Sequence, residues 1–403
     1  MARVCFFGNP YHGHTAPTLA VVRELAAHGE RIIYYSTEKF EKDITRHGAI
    51  FRAYPDLGVL PRLEPIVDLS LWVLSSTEKI MASELESLRR DPPDYIIHDV
   101  SASWGSCIAN ALELPFAVSN PMFPMTFKAW MLARSVMPGR KWRRKSLLGF
   151  GRGCFDSWRR TRGLCSRYGL TMREASPLYK KQLQIIYTSP SIQEFTGASG
   201  DNFLFAGATS VERTESGEFD FDQLSDKPLV FVSMGTFLSA NPQLVRTLIE
   251  ALRGLDAQVV VALDPTVHQE AVSDAPDNFI FAGFVPQLRM LQRAALFITH
   301  AGVGSASEAL FHGVPMVMLP EAFDHFLMAH KLQAEGAGLM FGEQPAPGEL
   351  RQAVDAVLVD ESFAANASRL GESLAATGGA VAAAERILAW SRRVAPSIVS
   401  VAS

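Results

Sequence analysis

The sequence predicts an α/β protein built from two doubly wound parallel-sheet domains, and three observations carry that expectation. The chain has 403 residues, beyond the size at which a single hydrophobic core keeps growing, so two domains are expected. Short apolar runs alternate with amphipathic stretches through both halves, the signature of parallel βα units. Between Gly200 and Lys227 the rhythm changes: GDNFLFAGATSVERTESGEFDFDQLSDK is rich in Gly, Ser, Thr and acids, and reads as a last strand at 203–206 followed by a linker. The expected division is therefore 1–206, a linker at 207–226, 227–385, and a C-terminal helix and tail at 386–403 that packs back on the first domain.

In the first half RVCFFG (3–8), RIIYYS (31–36), YIIHD (95–99) and PFAVSN (115–120) read as strands. Helical patterns at about 17–28 and 75–90 separate them, and Pro17 in an opening turn with Gly29 past the end suits the first. The second half repeats the pattern in PLVFVSMG (228–235), AQVVVAL (257–263), NFIFAGF (278–284), LFITHAG (296–302) and PMVMLP (315–320). Their density of Val, Ile, Leu and Phe suits strands buried on both faces. Helices are expected at about 241–254, 286–294, 305–312 and 324–335. Neither half carries a G-x-G-x-x-G fingerprint or a P-loop. Facing doubly wound domains place a ligand cleft at their strand C-terminal edges.

Composition, with 48% hydrophobic and 20% charged residues, is that of a globular protein. Four cysteines, Cys5, Cys107, Cys154 and Cys165, lack any C-x-x-C or C…H spacing, which argues for reduced thiols in the cytoplasm and against a structural zinc. MARVCFFGN runs straight into a strand without a basic-then-apolar leader. No apolar run reaches the roughly 18 residues of a membrane helix. The net charge of −4 argues against a nucleic-acid partner. It is unevenly spread: residues 217–403 hold 11 Lys/Arg against 21 Asp/Glu, and residues 1–216 hold 27 against 21. An acidic second half must bind a phosphate mainly through backbone N–H groups and helix N-termini.

PYHGHTAPTLAVVRELAAHG (10–29) sets His12 and His14 around a glycine at the mouth of the first helix, on the carboxyl edge of the first sheet. The positive end of a helix dipole lowers a histidine pKa and keeps the ring neutral, as a general base requires. A carboxylate on the other ring nitrogen would fix the tautomer and restore basicity. Asp99, ending YIIHD on the same edge, is the candidate. Taken alone, such a histidine is equally a packing or turn residue, and such an aspartate a cap.

At these residues the chain resembles the GT-B nucleotide-sugar-dependent glycosyltransferases, closest to the bacterial macrolide and antibiotic enzymes. GHTAPTL (13–19) fits their opening Gly-His, two residues, Pro-(Ser/Thr)-Leu register. That alignment implies His14 as the base, Asp99 as its partner and His12 as a loop residue. GFVPQLRML and THAGVGSASEALFHGVPMVMLPEAFDHFLMAHKLQAEGAG follow the donor-binding signature over roughly forty residues. The resemblance spans essentially the whole chain and is weakest at 121–180. It implies a GT-B fold, two Rossmann-like domains with an interdomain cleft: an acceptor-binding domain at 1–206 and a donor-binding domain at 227–385.

Further roles follow from the resemblance. His300 and the Ser305 region touch the diphosphate, with Gly302 and Gly304 of HAGVGS leaving room for backbone donors. Glu308 binds the ribose hydroxyls, although Ser305-x-x-Glu308 is equally a capping box serving only its own helix. Gln287, after Val285, lies near the nucleobase; Phe284 stands where the family usually stacks Trp, which leaves UDP and TDP donors both open. Thr236 of SMGT is a donor contact. Asp324-His325 replaces the usual acidic-Gln pair that grips the sugar, so an imidazole stands for an amide and sugars other than glucose are admitted.

The expected activity is that of an inverting, metal-independent hexosyltransferase, moving a sugar from a UDP- or TDP-sugar to a hydroxyl of a largely apolar natural product. No cofactor is expected besides the nucleotide-sugar co-substrate. Asp220-Phe-Asp222 matches a metal-binding triplet but sits in a polar connector, so no metal is implied. Between 134 and 173 lie twelve Lys/Arg and one acid, Asp156, interleaved with aromatics. Such a segment is a solvated face beside an acceptor wall, or a peripheral contact with an anionic membrane. NPMFPMTFKAW (120–130) suits a deformable apolar wall. The alternatives are a lipid or sugar-chain glycosyltransferase at a membrane surface and a GT-B nucleotide-sugar epimerase.

Overall fold

The computed structural model describes residues 2–58, 66–124, 126–137, 147–175, 182–193, 196–212, 219–235, 241–264, 266–267, 269–283, 285–342 and 344–394. The chain divides into two units, Met1–Thr126 with Gly139–Arg213 and Thr377–Ser403, and Phe127–Pro138 with Thr214–Ala376.

In chain order the elements are β1 Arg3–Phe7, α1 His12–Ala27, β2 Arg31–Ser36, α2 Glu41–Arg46, β3 Ile50–Ala53, α3 Ile66–Arg90, β4 Tyr95–Asp99, α4 Ser103–Ala111, β5 Phe116–Asn120, α5 Phe127–Val136, α6 Leu147–Tyr168, β6 Leu183–Ile186, α7 Pro190–Gln193 and β7 Phe203–Phe205. Then follow β8 Leu229–Ser233, α8 Pro242–Leu252, β9 Gln258–Ala262, α9 Gln269–Val272, β10 Phe279–Ala282, α10 Gln287–Leu291, β11 Ala294–Thr299, α11 Val303–Phe311, β12 Met316–Met318, α12 Phe323–Ala334, β13 Gly338–Met340, α13 Pro347–Val359, α14 Ser362–Ala375 and α15 Gly379–Val394.

Each unit holds one parallel sheet. The first runs β3-β2-β1-β4-β5-β6-β7 and the second β10-β9-β8-β11-β12-β13. The order reverses between β1 and β4 in the first sheet and between β8 and β11 in the second. A crevice opens at such a switch point because the following helices depart to opposite faces. Phe7 is in register with His98, so the chain leaving β1 and the end of β4 meet on one edge. Ser233 is in register with Thr299, which does the same for β8 and β11.

One face of the first sheet is covered by α1 and α15, whose Leu19, Val22, Ala383, Ile387 and Trp390 share a core with Val4, Phe6 and Tyr95. The Trp390 ring meets Tyr95 edge-on at 5.8 Å. The C-terminal helix is thus a structural part of the first unit, from Thr377 onward. The other face packs Trp104, Ile108 and Leu85 beneath Cys5, Phe7 and Ile96. In the second unit α8 and α13 cover β8, β9 and β11 through Leu244, Leu248, Leu350 and Val354. α5, although it follows β5 in sequence, packs against α12 and groups with the second unit.

The first helix starts earlier than its sequence pattern suggests. Tyr11 is its N-cap and Pro17 lies inside it, so His12 is the first helical residue and not part of a loop. Pro17 has no N–H for the Gly13 carbonyl, which costs the helix a bond. Burial of Thr15 through Val22 offsets that loss, and the Thr209 hydroxyl donates to the Pro17 carbonyl at 2.6 Å. β3, β6 and β13 are additional strands of three or four residues. The second predicted helix begins at Ile66.

Candidate active site

The loop from β1 to α1 brings His14 to the third helical position, where its Nδ1 lies 2.8 Å from Oδ2 of Asp99. The two residues are 85 apart in sequence and meet because β1 and β4 are neighbours. Asp99 is 1% exposed and His14 15%, so the carboxylate is sealed while one edge of the imidazole reaches solvent. The other carboxylate oxygen, Oδ1, accepts from the Ser101 N–H at 2.8 Å and from the Ser101 hydroxyl. That hydroxyl accepts from the Asn9 amide nitrogen. The two Ser101 donors on Oδ1 hold the carboxylate in one orientation. It takes the Nδ1–H, which places the lone pair of His14 on Nε2.

His98 is a structural neighbour. Its Nδ1–H donates to the Asp99 carbonyl at 2.8 Å, and burial pushes its pKa down, so the ring is neutral. A Cβ on Gly105 would collide with the His98 side chain, so the glycine lets α4 pack against β4 there. Below the loop, Trp104 donates to the Tyr54 hydroxyl at 3.0 Å, and Tyr54 to the Gly8 carbonyl at 2.8 Å. A Cβ on Gly8 would lie 2.6 Å from the Tyr34 ring. Close packing of buried aromatics therefore sets the path of the chain into His14.

At the second switch point β11 ends in Thr299 and turns through His300, Ala301 and Gly302 into α11. Ala301 has φ +61°, a left-handed conformation that residues with a Cβ seldom adopt. It is fully buried, and the turn swings His300 under the helix mouth. The His300 ring lies 4.5 Å from the His325 ring. Its pKa is pushed down to about 3, by burial first and by His325 second, with Asp324 opposing. The ring is neutral, and its Nδ1 has no hydrogen-bond partner among the described residues. A Cβ on Gly302 would sit 2.7 Å from His300 Nε2, whereas a Cβ on Gly304 would meet nothing within 4 Å among the described residues outside its own helix turn. Packing explains the first glycine. The second lines open space at the N-terminus of a helix, a place suited to an anion.

Gly302 is the N-cap of α11 and, as a glycine, brings no side chain to cap it. The Ser305–Glu308 capping box does not form, because the helix begins before Ser305 and Glu308 lies a turn further in. Glu308 is 3% exposed and accepts from the Gln287 amide at 2.7 Å; the same amide reaches Ser305 Oγ at 3.3 Å. Gln287 opens α10 behind Pro286, and Val285 is buried just ahead of it. Asp324 and His325 lie in the first turn of α12, where His325 Nδ1 accepts the Ala322 N–H at 3.1 Å. With Nδ1 accepting, Nε2 is the ring nitrogen left to donate. Thr236 and Phe284 lie outside the described residues. Asp220 accepts the Asp222 N–H at 3.0 Å and caps the short turn Phe221–Gln223. Ser101 and Asn9 had no signal in the sequence, since an Asn and a Ser 92 residues apart follow no spacing rule.

Two parallel-sheet α/β domains, each with polar groups at its switch point, have the GT-B fold, and comparison with known proteins agrees. Residues 246–389 match the EryCIII-like family, described as the erythromycin biosynthesis protein CIII-like C-terminal domain. The uncharacterised UDP-glucosyltransferase YojK of Bacillus subtilis is 28% identical, over 96% of this chain and 97% of its own. Oleandomycin glycosyltransferase of Streptomyces antibioticus is 26% identical, over 96% of this chain and 90% of its own. The solved glycotransferase of kitacinnamycin superposes with a TM-score of 0.79 at 23% identity, covering 98% of this chain and 99% of that one. Glycosyltransferase VinC, solved in complex with dTDP, gives 0.73 at 18% identity, covering 98% and 100%. The chain is thus similar along nearly its whole length to known glycosyltransferases, the oleandomycin enzyme among them, and residues 246–389 match the EryCIII-like C-terminal domain.

Proposed function

We propose that this chain is an inverting, metal-independent glycosyltransferase that moves a sugar from a UDP- or TDP-sugar to a hydroxyl of an apolar small molecule. The observation that carries the reading is the His14–Asp99 hydrogen bond at a switch point. His14 Nε2 takes the acceptor proton while the Asp99 carboxylate, bonded to Nδ1, steadies the imidazolium. The freed oxygen attacks the anomeric carbon from the side opposite the diphosphate, which inverts the centre. The nucleoside diphosphate leaves onto the α11 N-terminus, the Gly302 and Gly304 backbone and the neutral His300. Gln287 and Glu308 serve the nucleoside, and Asp324 with His325 the sugar.

General-base assistance contributes roughly 10²–10⁴ in rate. His14→Ala should lose about that factor in turnover while the thermal shift given by UDP- or TDP-sugars stays as in the wild type. Turnover should survive EDTA, and the product anomer should be inverted. Intact turnover in His14→Ala, or loss of donor binding with it, would refute the assignment. A second reading, transfer to a lipid or sugar chain at a membrane surface, draws on α6. There Phe155 is 60% and Trp158 47% exposed, and the Arg162 guanidinium lies 5.5 Å from the Trp158 ring centroid.

A further inference from the structure

We propose that Ser101 and Asn9 are positioning residues that hold the Asp99 carboxylate in its working orientation; the inference rests on His14–Asp99 being the base pair. The donors run in one direction. The Asn9 amide donates to the Ser101 hydroxyl, the hydroxyl donates to Asp99 Oδ1, and Oδ2 takes the His14 Nδ1–H. Asn9 is 2% exposed and its Oδ1 has no partner among the described residues, so a polar side chain is kept buried for what its nitrogen does. The Asn9 backbone is anchored as well, its carbonyl accepting from the Thr15 hydroxyl in the same helix turn as His14.

The direction matters because a serine hydroxyl has one proton and rotates freely. Asn9 occupies its lone pair and thereby turns the proton toward Asp99. Oδ1, filled by the Ser101 hydroxyl and N–H, cannot swing round to His14. Only Oδ2 then meets the imidazole, and the ring edge stays aimed at the acceptor. The other titratable groups that face the carboxylate, His98, Tyr34, Tyr54 and Tyr187, are buried and neutral: burial pushes the histidine down and the tyrosines up. Asp99 is therefore the charge that His14 meets from β4, and the Tyr11 ring, 6.0 Å away, is its neighbour from the loop.

The test is kinetic, on the full-length protein with a UDP- or TDP-sugar that it turns over. Ser101→Ala removes one charge-assisted bond and should lower kcat on the order of 10-fold, with KM for the nucleotide sugar unchanged. A carboxylate with one donor fewer attracts the imidazolium more strongly, so the acid limb of the kcat profile should move to higher pH. Ser101→Thr keeps the hydroxyl and should restore both. Asn9→Asp, the same size, presents an acceptor where a donor was and turns the Ser101 proton away from Asp99; it should match Ser101→Ala. Unchanged kcat and acid limb in Ser101→Ala and Asn9→Asp, beside an inactive His14→Ala, would overturn the positioning role alone. Activity surviving in both His14→Ala and Asp99→Asn would overturn the base pair and this inference together.

Discussion

At the residue scale the two glycines of the β11–α11 turn separate folding from binding. Gly302 is needed by the protein, because a side chain there meets the His300 ring. Gly304 is not, because among the described residues outside its own helix turn nothing lies within 4 Å of where its Cβ would be. If a diphosphate docks on that helix mouth, Gly304→Ala should leave the melting temperature of the ligand-free protein nearly unchanged. It should cut the affinity for UDP- and TDP-sugars by about 10-fold or more, since the methyl keeps the anion from the backbone donors. Calorimetric titration of wild type and variant would show it, and equal affinities would place the diphosphate elsewhere. Glu308 carries the same lesson. The serine-to-glutamate spacing suits a capping box, yet helix α11 begins at Val303, and the carboxylate becomes a buried partner of Gln287. Only the position of the helix start distinguishes the two, and it is set by the Ala301–Gly302 turn.

At the element scale α6 stands out. Its inner side holds Leu164 and Cys165, both buried, and Arg160 pairs with Glu78 of α3 at 2.6 Å. Its outer side presents Phe155, Trp158, Arg159 and Arg162 at helical spacing, all exposed. Aromatics interleaved with guanidinium groups suit the interface of an anionic bilayer, where each basic residue contributes about 1 kcal/mol. If the membrane-surface reading holds, the protein should sediment with vesicles of phosphatidylcholine and phosphatidylglycerol but not with phosphatidylcholine alone. Phe155→Ser with Trp158→Ser should release it. Absence of sedimentation at low salt would remove the reading. Among the described residues no helix is long and apolar enough to cross a membrane. Elements also mark where periodicity fails. β3, β6 and β13 have three or four residues each, too few for alternation to register. α1 was legible as a helix, but its start was not, because Pro17 suggests a first turn that burial places further in.

At the scale of the whole molecule, neutral buried histidines link stability to pH. His98 and His300 both have lowered pKa values in the fold, the second about 3, against an ordinary 6.5. The unfolded chain binds protons there that the folded chain refuses. Their contribution is fully present above pH 6.5 and is lost progressively as pH falls toward the folded values. The melting temperature of the ligand-free protein should therefore drop between pH 7 and pH 5, and His300→Asn should flatten part of that drop. An unchanged slope would mean that the His300 ring is not held neutral by its surroundings.

The amino-acid sequence by itself determined that there are two parallel-sheet halves and where most strands lie, and its resemblance to a known family singled out His14 and Asp99. Those features are local: apolar runs, turn residues and a Gly-His register are written in consecutive positions. The tertiary structure decided the rest. It set the strand orders that make β1 and β4, and β8 and β11, into neighbours, and it assigned the C-terminal helix to the first core. It also recruited Asn9 and Ser101 to the carboxylate and gave Glu308 to Gln287 instead of to its own helix. A hydrogen bond between residues tens of positions apart depends on which strands lie side by side. That order is fixed by the burial of whole faces against one another, which no short stretch of sequence contains.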